Sequence, residues 1–382
     1  MAKKYISVCI VSPNAYGLIS GDKKGFVGGV EWQTVMMARW LVQNGFEVSL
    51  LTLASGCVED EWFNGVRVIK ICKSSAGVPW FKFFHPKWTG LAKALKKADA
   101  DLYYHNCSEA ETGQMVLWCK WHKKPSVYST ASNADCEKSL KKFKDFRERL
   151  LFRYGLTHAD RIIVQTKWQG EMLQKNYKLV TTHIPMPAVN PFDGTALKLE
   201  NALSNRILWI GRVCRDKRLD RLVPVAKILS QLQFDVVGPI FPNQENLEIV
   251  RQLESLSNVT LHGLVSKELV SSFFRKTRLL LCTSEMEGFP NTFLEAWSYG
   301  VPVVTTFDPD EIVSKNNIGI AVGNTDEIVS AIKKMIDDPG LYHNSSRNAR
   351  AYFLANHTTD AILPRFAEFF KETVTLYHNG WR

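Results

Sequence analysis

"RLLLCTSEMEGFPNTFLEAWSYGVPVVTT", residues 278–306, contains a short apolar run, a Gly-Phe-Pro-Asn turn, a helical pattern and a second apolar run. Continuous apolar runs of this length suit strands buried on both faces of a parallel sheet. Strand, helix and strand in that order make a βαβ unit, with parallel strands joined by a right-handed crossover. The fold class is therefore α/β, provided the same order recurs along the chain.

It does recur. The first half shows strand patterns at 5–12, 46–52, 66–71, 101–106, 126–131 and 161–166, with helical patterns at 29–45 and 109–122 between them. "THIPMPAVNPFDG" (182–194) then breaks the pattern with three prolines and reads as an interdomain linker. A second series has strands at 206–211, 234–238, 259–263, 278–284, 301–306 and 319–323, and helices at 219–232 and 291–300. At 382 residues the chain exceeds the size at which one core stops growing, so two doubly wound domains are expected. The boundaries fall at 1–188 and 189–365, followed by a closing helix over 366–382. Ligands of such sheets bind at the carboxyl ends of the strands, which predicts a substrate cleft between the domains.

The formal net charge of +10 favours an anionic partner, whether nucleotide, phospholipid surface or nucleic acid. The eight cysteines form no C-x-x-C pair and several sit in strand runs, as reduced thiols of a cytosolic protein do. The apolar run before Pro13 is too short for a signal peptide, and nothing approaches the roughly 20 apolar residues that span a bilayer. A cytoplasmic protein is expected, soluble or peripheral at the inner face of the membrane.

Two segments carry the chemistry. Glu287 lies in the turn after 278–284 and Glu295 about one turn inside the following helix, so both can face one crevice. Gly288 lets a ligand approach the backbone, and the first-turn amides of the helix attract anions and hydroxyl oxygens. Ionised carboxylates accept hydrogen bonds from paired sugar hydroxyls. The same two residues also fit a helix-dipole partner and a surface charge. In "WIGRVCRDKRLDRLV" (209–223), Gly211 ends a strand, Arg212 follows it and Lys217 comes five positions later. Two cations at a strand's carboxyl end suit a diphosphate, since cations at a helix start otherwise oppose the dipole.

Taken together, "GGVEWQTVMMARWLVQNGFEVSLLT" (28–52), "GRVCRDKR" (211–218) and "EGFPNTFLEAWSYGVPVVTT" (287–306) resemble the retaining GT-B glycosyltransferases of family 4, the group 1 glycosyl transferases. The motifs occur in the family's order over nearly the whole chain. The resemblance implies a GT-B architecture, two Rossmann-like domains facing each other across a cleft, with the closing helix returning to the amino domain. It also implies a hexosyltransferase that moves a sugar from a nucleotide-diphosphate sugar, UDP- or GDP-linked, to a glycan or lipid-linked acceptor. Metal independence and no other cofactor are part of that expectation, with nucleic acid excluded as a partner.

By position, Glu287 resembles the carboxylate on the donor-sugar hydroxyls and Glu295 the one on the ribose. The backbone of Gly288, Phe289, Pro290, Asn291 and Thr292 would line sugar and diphosphate. Arg212 and Lys217, beside Gly211, would neutralise the departing diphosphate, and Gly28 and Gly29 would form the amino-domain loop facing diphosphate and acceptor. Many relatives carry an amino-domain histidine where this chain reads "SVYSTASNADC" (126–136), so His105, at another strand end, is the candidate for a related role.

Other readings are weaker. "DAD" (99–101) precedes its strand, where a metal site would follow one, and "GLISGDKKG" (17–25) only roughly echoes a phosphate loop. An epimerase or phosphorylase of the same fold shares these features. A basic nucleic-acid binder explains the charge but leaves Glu287 and Glu295 without a role. Two basic aromatic stretches, 78–97 and 138–155, have the composition of interfacial segments that dock on anionic headgroups.

Overall fold

The computed structural model describes residues 5–21, 28–54, 59–73, 83–192 and 204–380. Parts of four sequence readings lie outside them: the end of the 17–25 loop, the start of the 78–97 stretch, the end of the 182–194 linker and the last two residues of the 366–382 helix. The chain forms two compact units, Met1–Met186 with Ile362–Arg382, and Pro187–Ala361.

Unit 1 holds β1 (Ser7–Val11), β2 (Glu47–Ala54), β3 (Glu61–Phe63), β4 (Val66–Lys73), β5 (Leu102–Asn106), β6 (Ser126–Ser129), β7 (Arg161–Val164) and β8 (Thr182–His183). Its helices are α1 (Tyr16–Ser20), α2 (Gly29–Gln43), α3 (Thr89–Ala98), α4 (Ala110–His122), α5 (Phe146–His158) and α6 (Lys167–Tyr177). The sheet order is β3-β4-β2-β1-β5-β6-β7-β8, and all pairs are parallel except β3 with β4. The antiparallel edge strand β3 is absent from the sequence reading, because three half-exposed residues carry no periodicity. Val8, Cys9 and Ile10 of β1 are fully buried, as expected for a strand covered on both faces.

Unit 2 holds β9 (Arg206–Ile210), β10 (Gln233–Val237), β11 (Val259–Gly263), β12 (Leu279–Cys282), β13 (Val303–Thr305) and β14 (Gly319–Ala321). The helices are α7 (Leu222–Ile228), α8 (Gln244–Glu254), α9 (Lys267–Lys276), α10 (Asn291–Ser298), α11 (Ile312–Lys315), α12 (Thr325–Asp337) and α13 (Pro339–Asn356). Its order is β11-β10-β9-β12-β13-β14, all parallel. The helix expected over 219–232 is shorter: Leu219–Arg221 is 3-10, Arg218 before it has φ +49°, and Leu229 leaves helical geometry.

A last helix, α14 (Thr359–His378), starts in unit 2 and runs into unit 1 from Ile362 onward. There Phe370 packs on Tyr104 (ring centroids 5.4 Å), Glu372 pairs with Arg161 at 2.6 Å, and Arg365 donates to the His183 carbonyl at 3.0 Å.

Candidate donor-binding site

In unit 2 the strand order reverses between β9 and β12, since β10 and β11 lie on one side of β9 and β12 to β14 on the other. A crevice opens at such a switch point, outside the carboxyl ends of the two strands. Gly211, Arg212 and Lys217 follow β9, and Ser284, Glu287 and Gly288 follow β12, so the two singled-out segments meet there.

Their meeting is direct. The Lys217 ammonium donates to the Glu287 carboxylate, which also accepts from Ser284 Oγ at 2.7 Å. The two side chains remain 22% and 14% exposed, enough for a ligand to reach both. Arg212 is exposed and has no ion pair among the described residues.

The two loops are tied together beneath this contact. Trp209 Nε1 donates to Thr283 Oγ1 at 2.9 Å, and that hydroxyl donates to the Lys217 carbonyl at 2.7 Å. The Glu285 amide donates to the Asp216 carbonyl at 2.9 Å, while the Arg218 guanidinium bridges Asp220 (2.8 Å) and Glu285 (3.3 Å). These bonds fix the backbone of both loops before a ligand arrives, so only the Lys217 and Glu287 side-chain ends have to turn.

Gly288, Phe289 and Pro290 are buried. The Phe289 ring packs on His357 at 5.1 Å and near Trp297 at 6.1 Å, so this residue offers a ligand only its backbone. Pro290 is the N-cap of α10 and supplies no side-chain cap to the first-turn amides at Asn291 and Thr292. Glu295 is half-buried one turn into the helix, and its carbonyl accepts from Ser298 Oγ at 2.6 Å.

The remaining singled-out residues belong to unit 1. Gly28 caps α2 in extended geometry and Gly29 starts the helix, with no side-chain cap on its amides. His105 sits in β5 and is 1% exposed. Thr112 Oγ1 donates to the Cys107 carbonyl at 3.0 Å and so accepts from His105 Nδ1 at 2.9 Å. Burial lowers the imidazole pKa to about 4. The neutral, enclosed imidazole fastens β5 to α4 through Nδ1, while its buried Nε2 has no hydrogen-bond partner among the described residues. Asp101 of the "DAD" stretch accepts from the Ser7 amide (2.9 Å) and hydroxyl (2.7 Å), joining β1 to β5. Among the described residues, no three His, Cys, Asp or Glu side chains converge as a metal site.

Two features escaped the sequence reading. Gly238, after β10, has φ +140°, and a Cβ there would lie 1.8 Å from the Gly211 carbonyl oxygen, so the β9 turn depends on it. In unit 1, a cavity of ≈430 Å³ opens where the order reverses between β1 and β5, lined by Pro13, Lys87, Ser108, Glu109 and Lys142 among others. Beneath it the buried Asp135 accepts from Lys142 at 2.6 Å and from the Ala131 amide at 2.7 Å. Burial raises its pKa, but Lys142 and the donated bonds outweigh that and hold the carboxyl below its usual range. Ser132 and Asp135 form a capping box, a pattern visible in "SNAD".

Two doubly wound Rossmann-like units, with a carboxylate and cations at the switch point of the second, define a GT-B glycosyltransferase fold. Residues 204–338 match the Glycosyl transferases group 1 family and residues 27–186 match Glycosyltransferase Family 4, so the chain belongs to the group 1, family 4 glycosyltransferases. Sucrose-phosphate synthase from Thermosynechococcus elongatus superposes with a TM-score of 0.78 at 18% identity, over 96% of this chain and 98% of that one. Anabaena HepE, solved with UDP-glucose, gives 0.75 at 16% identity over 96% and 100%. The 2-deoxystreptamine N-acetyl-D-glucosaminyltransferase of Niallia circulans is 24% identical over 193 residues, 48% of this chain and 49% of that protein. Amylovoran biosynthesis glycosyltransferase AmsD of Erwinia amylovora is 22% identical over 53% of this chain and 59% of its own. The chain thus spans about half the length of the curated relatives it matches.

Proposed function

We propose that the protein is a retaining hexosyltransferase that moves a sugar from a uridine or guanosine diphosphate sugar to a hydroxyl of a glycan or lipid-linked acceptor, without a metal. The observation that carries this reading is the Lys217–Glu287 contact at the unit 2 switch point, with Arg212 exposed on the same loop. A site for a nucleotide sugar needs carboxylate acceptors for hydroxyls and cations for phosphate within a few ångströms of each other. Glu287 and Lys217 meet that need directly.

As the bond between the anomeric carbon and the diphosphate oxygen breaks, negative charge grows on the leaving phosphate and positive charge on the ring. Lys217, Arg212 and the amides of α10 stabilise the first, and the Glu287 carboxylate orients the sugar that bears the second. The acceptor oxygen bonds to the anomeric carbon from the face the phosphate leaves, and its proton passes to the leaving diphosphate oxygen. Glu295 holds the ribose. Uridine is the first base to test, since a structural neighbour was solved with UDP-glucose.

Thermal unfolding with UDP, GDP and their sugars tests the donor, because a ligand at 100 times its Kd adds about 2.7 kcal/mol to stability. Glu295→Ala should shrink the UDP-induced rise in Tm, whereas Glu287→Ala should preserve it and abolish transfer; the reverse pattern overturns the two roles. Product anomers read by NMR test retention. Undiminished turnover after chelation tests metal independence, and consumption of donor with inorganic phosphate alone would indicate a phosphorylase.

A further inference from the structure

Helix α5 has more apolar surface than its core needs. Phe152, Gly155 and Leu156 are its buried residues, with Phe152 stacked near Phe143 at 5.1 Å and edge-on to Tyr128 at 5.7 Å. On the opposite face Phe146 is 69% and Leu150 56% exposed. Four positions apart on a helix, they form one apolar stripe about 6 Å long.

The charge around this stripe is one-sided. Residues 138–153 contain seven Lys and Arg against two acids. Lys142 is neutralised by the buried Asp135, and Asp145 pairs with Arg147 at 3.0 Å. Glu148 turns toward the unit 1 cavity. Lys138, Lys141, Lys144 and Arg153 remain exposed, with no carboxylate partner among the described residues. The neighbouring helix α4 packs so closely that a Cβ at Gly113 would lie 2.0 Å from the Leu151 carbonyl oxygen. Its exposed Trp121 lies toward the other end of α5, where Lys120 pairs with Asp160 at 2.5 Å, and is not part of the Phe146–Leu150 stripe.

We propose that this face of α5 docks unit 1 on an anionic phospholipid bilayer, with Phe146 and Leu150 entering the interface and Lys138, Lys141, Lys144 and Arg153 meeting the headgroups. A bilayer fits better than a protein partner because protein interfaces exclude lysine from their cores, whereas lysine stems lie along apolar surface and carry their charge to headgroups. Apolar side chains ringed by cations are the composition of a helix lying in the membrane plane. The proposal is independent of the donor site, which lies on unit 2, so either can fail without the other.

The test is co-sedimentation of the full chain with vesicles of phosphatidylcholine alone and of phosphatidylcholine mixed with phosphatidylglycerol. Binding is expected only to the mixed vesicles, and should weaken as salt rises, since screening shortens the reach of the cations. Phe146→Ser with Leu150→Ser should reduce partitioning at least tenfold, and each of Lys138→Gln, Lys141→Gln and Lys144→Gln roughly fivefold. All these positions are exposed, so the variants should keep the parent Tm and its response to UDP. Equal binding to both vesicle types, binding to neither, or full binding by the double variant would overturn the proposal. So would salt-sensitive binding to an arbitrary DNA duplex that the lysine substitutions abolish while vesicle binding stays undetectable.

Discussion

Lys217 and Glu287 lie seventy positions apart in the chain, yet each is the other's ionic partner at the site. In the proposed reaction both must also serve the substrate, the ammonium turning to phosphate and the carboxylate to hydroxyls. Lys217→Met should lower transfer by roughly 10² to 10³, the scale of removing one preorganised stabilising group, and should also shrink the UDP-induced rise in Tm. Glu287→Gln should lower transfer similarly while leaving that rise intact, and the double variant should be little worse than the poorer single one, as residues acting as a unit are not additive. Steady-state rates for the four proteins of the cycle check this, and additive losses would mean the pair does not act together. His105 gives a second prediction at this scale. Its folded pKa, about 4, lies below the unfolded value near 6.5, so between those pH values the unfolded chain binds more protons. Stability from this residue is intact above pH 6.5 and declines by up to ~3 kcal/mol as pH falls to 4. Urea unfolding at pH 7 and 4.5 should show a smaller difference for His105→Gln than for the parent protein.

Among the elements, the turn after β9 is the most constrained. Gly238 sits against it with φ +140°, and a Cβ would overlap the Gly211 carbonyl oxygen at 1.8 Å, a backbone atom that cannot step aside. Gly238→Ala should therefore displace Gly211 and Arg212, cost unit 2 about 2 kcal/mol or more, and abolish the UDP response while the unfolding transition of unit 1 stays put; differential scanning calorimetry with and without UDP separates these outcomes. The elements that could be read from sequence are those with long local signals. β9, β12 and α10 stand out because each carries an apolar run or periodicity next to a glycine or proline turn. β3 and the true length of α7 could not be read, because a three-residue edge strand has no period and the left-handed Arg218 is a backbone choice that side-chain type does not announce. The candidate site was half legible for a related reason. Spacing placed Glu287, Arg212 and Lys217 at strand ends, but strand adjacency, and with it the Lys217–Glu287 contact, depends on the order β10-β9-β12, which no local pattern encodes. His105 looked available because strand ends usually are; only the packing of Thr112 beneath it shows that it is enclosed.

At the scale of the whole molecule, unit 1 is assembled from two separated pieces of chain, 1–186 and 362–382. The second piece is no loose tail. Leu363, Phe366, Phe369, Phe370 and Val374 of α14 are buried, with Phe369 beneath the Arg161 guanidinium at 4.1 Å and Phe370 on Tyr104. At about 2 kcal/mol per buried large apolar side chain, these five contribute on the order of 10 kcal/mol as an upper bound. That is comparable to the whole stability of an ordinary domain, roughly 5–15 kcal/mol. Unit 2, by contrast, is continuous from Pro187 to Ala361 and encloses its own core around Trp209, Leu222 and Leu281. A chain ending at Ala361 should consequently lose the cooperative unfolding of unit 1 while unit 2 still unfolds as one transition and still gains Tm from UDP. Calorimetry on the truncated chain reads both. Two intact transitions would show that α14 adds little to unit 1, and loss of both would show that unit 2 depends on unit 1 in a way its continuous core does not suggest.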